Sequence, residues 1–136
     1  MNAVLDASVW VARLVRQDAF HESVKGWMET RRAAGDLFYA PDLLLAETSG
    51  AIRRRLDDPA LAARAVDALL HLPALRLVEM DRELLVEAAR LAAELGLRGA
   101  DATYAALAQR LNLPLVTFDA DQRERAAQRI NIAEIE

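Results

Sequence analysis

Short apolar runs alternate with longer stretches of helical periodicity along this 136-residue chain. That alternation constrains the fold more than any other feature. Strands separated by helices return in the same direction, so they pair in parallel, and a strand covered on both faces is apolar throughout. The runs at 2–5, 37–40, 75–80 and 115–118 have this character, and 130–135 reads as a further edge strand. Helices are expected over 8–16, 20–33 (closed by Gly35), 41–56, 60–71 and 100–111. Pro41 is placed in the first turn of its helix, where a missing N–H costs nothing. Another helix is capped by Asp81 and ends near Gly96, and a short one begins at Asp119 or Asp121. With no internal repeat or linker-like tract, residues 1–136 are expected to form a single α/β domain around a parallel sheet.

Composition removes several kinds of chemistry. The chain has no cysteine, so disulfides, thiolate metal sites and cysteine nucleophiles are excluded. Its two histidines, His21 and His71, lie in no metal-ligand spacing. Neither a leader-like N-terminus nor an apolar stretch of about 20 residues is present, so a cytoplasmic protein with no membrane partner is expected. The net charge of −4 speaks against general nucleic-acid binding, although local arginines still suit phosphates. Lys25 is the only lysine; phosphate recognition and a genomic base bias explain that equally.

In open parallel sheets, ligands bind beyond the carboxyl ends of the strands. Four acids fall there. Asp6 follows the first strand, Asp119 follows the strand at 115–118, Glu47 lies early in the helix after the strand at 37–40, and Asp101 lies in the first turn of its helix. Asp6, Asp101 and Asp119 each also suit a helix cap or the helix dipole, and Asp121 competes with Asp119 for the same role. Glu47 shares a helix face with Leu43, Leu44 and Ala51, where a carboxylate needs a partner. A metal ion and a core salt bridge both satisfy that need, with Arg54 only partly within reach. An all-oxygen set without cysteine or histidine suits Mg²⁺ or Mn²⁺. Clustered carboxylates repel and rise in pKa, and a divalent cation reverses that. The hydroxyls of Ser8 and Thr117 flank the same place, as supports for the acids or as ordinary capping groups.

Four segments, in order, resemble the motifs of PIN-domain proteins, and of VapC-type toxins in particular. They are Val4-Leu5-Asp6-Ala7-Ser8, Pro41-Asp42-Leu43-Leu44-Leu45-Ala46-Glu47, Leu97-Arg98-Gly99-Ala100-Asp101-Ala102 and Leu115-Val116-Thr117-Phe118-Asp119. The resemblance implies a three-layer α/β/α sandwich and a Mg²⁺- or Mn²⁺-dependent endoribonuclease. It assigns catalytic and metal-holding roles to Asp6, Glu47, Asp101 and Asp119. It also implies a homodimer, an RNA substrate and a VapB-type antitoxin. Tyr104 falls where many relatives carry another residue, which leaves substrate preference open.

Arg13, Arg16 and Arg98 are the expected phosphate contacts. The run Arg53-Arg54-Arg55 suits RNA or an acidic partner, and equally a solvated helix C-terminus. The apolar residues Val9, Trp10, Val11, Leu14 and Trp27 suit a dimer face, an antitoxin groove or plain core packing. A haloacid-dehalogenase-like phosphatase would want an aspartate at Ser8 and a placed lysine, and a receiver domain would want paired early aspartates. The non-enzyme alternative is a PIN-like scaffold that binds RNA or protein without cleaving.

Overall fold

The computed structural model describes residues 1–135. Strands β1 (Ala3–Leu5), β2 (Phe38–Pro41), β3 (Leu75–Val78) and β4 (Leu115–Val116) form one sheet in the order β3-β2-β1-β4. Every pairing is parallel, with Val4 opposite both Tyr39 and Leu115. The helices are α1 (Ala7–Leu14), α2 (His21–Ala33), α3 (Leu44–Leu56), α4 (Pro59–Leu70), α5 (Arg82–Leu95), α6 (Gly99–Leu111) and α7 (Ala120–Ala126).

The strand order reverses at β1. From β1 the chain steps to β2 and β3 in one direction, then crosses back to place β4 on the other side of β1. Because such crossovers are right-handed, the reversal puts α1–α4 on one face and α5–α6 on the other. The expected α/β/α sandwich results. α6 packs against β1, β2 and β4, and α5 packs on α6. Every residue from Ala102 to Ala108 is buried, which the alanines at 102, 105, 106 and 108 permit by letting α6 lie close to the sheet. The reversal also opens a crevice at the carboxyl ends of β1 and β4.

The core accounts for most of the apolar surplus. Val9, Trp10 and Val11 are buried, while Leu14 and Trp27 are partly buried against them. Phe38 at the start of β2 meets Trp10 edge-on and Trp27 in a stack, at 6.1 and 5.8 Å between centroids. Gly35, with φ of +87°, follows the end of α2 as a left-handed terminator.

Among the expected boundaries that shift, three do so for an identifiable reason. Pro41 ends β2 rather than opening α3, which starts at Leu44. Phe38 and Asp42 direct their N–H groups to β3, so alternation turns the missing N–H of Pro41 toward β1, past the last paired residue. The strand at 115–118 stops at Val116: the Phe118 N–H turns to Ser8 Oγ instead of a neighbouring strand, while the Thr117 hydroxyl meets Asp6. Instead of an edge strand at 130–135, a single parallel bridge joins Ile132 to Leu115.

Neighbouring leucines on α4 separate core from surface: Leu69 is 2% exposed and Leu70 is 55% exposed. Leu69→Ala is expected to cost about 2–5 kcal/mol, whereas Leu70→Ala should stay within about 0.5 kcal/mol of the parent. Urea unfolding of both variants measures this, and equal losses would contradict the packing described.

Candidate active site

Asp6 is the first residue past β1, and the chain turns there from extended backbone into α1. Its Oδ1 accepts the N–H groups of Ser8 at 3.0 Å and Val9 at 3.4 Å, which makes it the cap of α1. The Ser8 hydroxyl donates to the same oxygen at 2.5 Å. Capping leaves Oδ2, and there the Thr117 hydroxyl donates at 2.6 Å from the end of β4. Asp6 is 5% exposed. Burial pushes its carboxyl up to about 6 and Asp101's charge adds to the rise; the bonds from Ser8, Thr117 and Val9 oppose it.

The same hydroxyls align the segment after β4. Ser8 Oγ accepts the Phe118 N–H at 3.0 Å, and Thr117 Oγ1 accepts the Asp119 N–H at 3.0 Å. Gln122, 1% exposed, lies 3.1 Å from Thr117 Oγ1. The threonine's single proton is committed to Asp6, so the Gln122 amide is best oriented with its NH₂ toward Thr117.

Asp119 caps α7 through Oδ1, which accepts the Gln122 N–H at 3.1 Å. Its other oxygen accepts from Arg98 Nη2 at 2.6 Å, while Arg98 Nε donates to Asp101 Oδ2 at 3.0 Å. Asp101 sits in the first turn of α6 without capping it. Burial raises its pKa, and Asp119 and Asp121 add repulsion that Arg98 opposes. Asp121 is itself exposed and pairs with Arg125 at 2.9 Å. Of the two acids left open by the sequence, Asp119 therefore faces Arg98 and Asp101.

Glu47, in the first turn of α3, has a partner that the sequence did not disclose. The Tyr104 hydroxyl donates to its Oε1 at 2.7 Å from α6. Tyr104 is 1% exposed and lies one turn beyond Asp101, on the same helix face. That spacing was the available signal. Burial raises the Glu47 pKa, as does Asp101's charge, against the Tyr104 bond.

The arginines divide differently from expectation. Arg98 lies among the acids, 70% exposed at the mouth of the cluster. Arg13 lines a separate groove of about 290 Å³ between α1, α2 and α4, and Arg16 is exposed past the end of α1. Arg54 joins Glu47, Ser8, Phe20 and Phe118 around a cavity of about 620 Å³ beside the acids.

The donor set fits a hard divalent cation. Its carboxylates and hydroxyls are all oxygen, and burial and mutual repulsion raise the pKa of Asp6, Glu47 and Asp101, a cost that a cation removes. In the side-chain positions seen, no three acidic or imidazole groups among the described residues form a ready-made cage. Arg98 instead supplies positive charge to Asp101 and Asp119, and Tyr104 engages Glu47.

A raised carboxyl pKa in the fold works against stability once the unfolded chain has released its proton. Below about pH 4 both states hold the Asp6 proton; between there and about pH 6 the fold keeps a proton the unfolded chain loses, so stability falls as pH rises. Asp6→Asn escapes this loss. In metal-free buffer its melting temperature should gain on the parent between about pH 4 and about pH 7, by an amount corresponding to roughly 2–3 kcal/mol. A gap independent of pH would show that Asp6 carries no such cost.

The PIN domain family profile matches residues 3–128. No curated protein matches the sequence. VapC20 of Mycobacterium tuberculosis, a sarcin–ricin-loop-cleaving toxin, has a similar fold, with 21% identity over 96% of this chain and 98% of that one, and a TM-score of 0.78. VapBC2 of Rickettsia felis, solved with a promoter DNA fragment, is similar at 16% identity over 100% of both chains, TM-score 0.75. FitAcB of Neisseria gonorrhoeae is similar at 21% identity over 100% and 97%, TM-score 0.70. With its profile match spanning nearly the whole sheet-and-helix framework, this chain belongs to the PIN domain family.

Proposed function

We propose that this chain, read as one PIN domain over residues 1–136, is a metal-dependent endoribonuclease acting as the VapC-like toxin of a toxin–antitoxin pair. Glu136 lies outside the described residues. The observation that carries the reading is electrostatic. Asp6, Glu47, Asp101 and Asp119 come from four separate segments, yet Asp101 acts on Asp6 and Glu47, and Asp119 acts on Asp101. Capping gives Asp6 and Asp119 a structural use, but the repulsion among the gathered acids remains a cost to the fold, and a bound cation or substrate would remove it.

The four carboxylates would hold Mg²⁺ or Mn²⁺, which when bound stabilises charge on phosphate oxygens and makes water a stronger nucleophile at neutral pH. Ser8 and Thr117 fix Asp6, and Tyr104 orients Glu47. Arg98, once released from Asp101 and Asp119, is placed to meet a substrate phosphate. With no cysteine in the chain, and with the Ser8 and Thr117 hydroxyls committed to Asp6 and that of Tyr104 to Glu47, this reading assigns the in-line attack to water.

The toxin reading draws on the VapC20, VapBC2 and FitAcB likenesses, and brings with it an RNA substrate, a VapB-type antitoxin and a homodimer. Leu85 and Val86, 49% and 42% exposed on α5, form apolar surface of the kind a second copy covers. No helix among the described residues is long and apolar enough to cross a membrane. One observation favours a non-cleaving scaffold instead: Arg98 already neutralises two of the acids.

Asp6→Asn and Asp101→Asn should each reduce RNA cleavage at least about a hundredfold. EDTA should abolish cleavage and added Mn²⁺ restore it. Wild-type rates in both variants would overturn the assignment, and Mn²⁺ binding that ignores Asp101 in calorimetry would favour the scaffold. Tyr104→Phe, which frees Glu47 while keeping the ring, should weaken Mn²⁺ binding about tenfold in the same titration. Unchanged affinity would mean that Tyr104 does not position Glu47.

A further inference from the structure

The cavity beside the acids has a wall that the hydrolysis step does not use. Phe20 and Phe118 stack there with centroids 4.5 Å apart and planes 15° from parallel. Phe118 covers one side of Phe20, and half of Phe20 stays open to water at 50% exposure. An isolated exposed phenylalanine needs no explanation, but this one is held at several points. Its N–H donates to Asp18 Oδ1 at 2.8 Å, and Asp18 Oδ2 accepts from Arg55 at 2.6 Å, tying the α1–α2 connection to α3. Burial opposes the Asp18 charge, yet the bonds from Arg55 and Phe20 outweigh it and hold that carboxyl below its ordinary range. On the other side, the backbone of Phe118 is fixed by Ser8, which also binds Asp6. The aromatic pair is thus anchored to the framework that sets the acids.

The arginine run splits in the same place. Arg53 pairs with Asp57 and Arg55 with Asp18, but among the described residues no carboxylate pairs with Arg54. Arg54 turns back along α3 in the direction of Glu47: a Cβ added to Gly50 would stand 3.1 Å from its Nη1. Glycine in a helix interior is less stabilising than alanine, and here it leaves the surface clear for the guanidinium. An open aromatic face and an unpaired arginine on one cavity, beside acids suited to phosphodiester chemistry, complement a single-stranded nucleotide: base on ring, phosphate on guanidinium.

We propose that this cavity is a nucleotide subsite for single-stranded RNA, in which an unpaired base stacks on the open face of Phe20 while Arg54 takes an adjoining phosphate. The proposal rests on the ribonuclease reading and adds to it the residues that would hold an unpaired nucleotide beside the acids. Phe20 and Arg54 are positioning and affinity residues, apart from the acids.

Two dye-labelled dodecamers test it by fluorescence anisotropy in EDTA: dodecauridylate, and an abasic ribose-phosphate chain of equal charge. The intact protein should prefer dodecauridylate about tenfold. Phe20→Ala should lose that preference while still binding the abasic chain, and Phe20→Trp should keep it. Arg54→Gln should weaken both ligands alike and reduce the salt slope by about one. Circular dichroism melts check that each variant is folded, and Phe20→Trp carries the test if Phe20→Ala is not. If the parent binds dodecauridylate but Phe20→Ala and Arg54→Gln bind both chains as the parent does, the subsite is overturned and the nuclease reading stands. A parent that binds neither chain overturns the subsite, and if it also fails to cleave RNA with Mn²⁺ the ribonuclease reading falls too.

Discussion

The 2.6 Å bond from Thr117 to Asp6 joins the ends of two strands that lie 111 residues apart in the chain. Much of the candidate site depends on it. It exists because the strand order reverses at β1, which sets β4 beside β1 and brings both carboxyl ends to one crevice. It holds the Thr117 oxygen where it accepts from Asp119, while Ser8, bound to the same carboxylate, accepts from Phe118 as the chain leaves β4. One carboxylate thus organises a helix start, a strand end and the segment leading into α7.

That organisation has an electrostatic cost. Asp6 is buried, Asp101 is half-buried, and Glu47 is drawn between helices; burial raises the pKa of each and their mutual repulsion adds to it. The fold offsets this with groups close at hand: hydroxyls on Asp6, the Tyr104 phenol on Glu47, and the guanidinium of Arg98 shared by Asp101 and Asp119. Arg98 is the most exposed of these, at 70%. The offset is partial, since all three carboxyls stay above their ordinary range.

Much of the framework could be read from the residues. Parallel pairing followed from apolar runs separated by helical periodicity, and the acids stood after strands or in first helical turns, where backbone N–H groups attract them. Local rules failed where a distant partner intervened. Pro41 looks like a helix opener, but the missing β1 neighbour beyond Val4 lets it finish a strand. Thr117 and Phe118 look like strand, but the Phe118 N–H goes to the Ser8 hydroxyl at the start of α1 and the Thr117 hydroxyl goes to Asp6. Glu47 looked unpartnered because Tyr104 lies 57 positions away. Asp119 and Asp121 are equal as caps in sequence; in the fold Asp119 caps α7 and meets Arg98, while Asp121 pairs with Arg125.

By itself, the sequence determined an α/β domain around a parallel sheet, the place of the acids along it, and the absence of any cysteine chemistry, because periodicity, capping and composition act over a few residues at a time. Which acids share charge, which arginine remains unpaired and which aromatic ring lies open were decided only by tertiary structure. Those properties depend on distance and burial in space, and a strand order that reverses at β1 makes neighbours of residues that no local spacing relates.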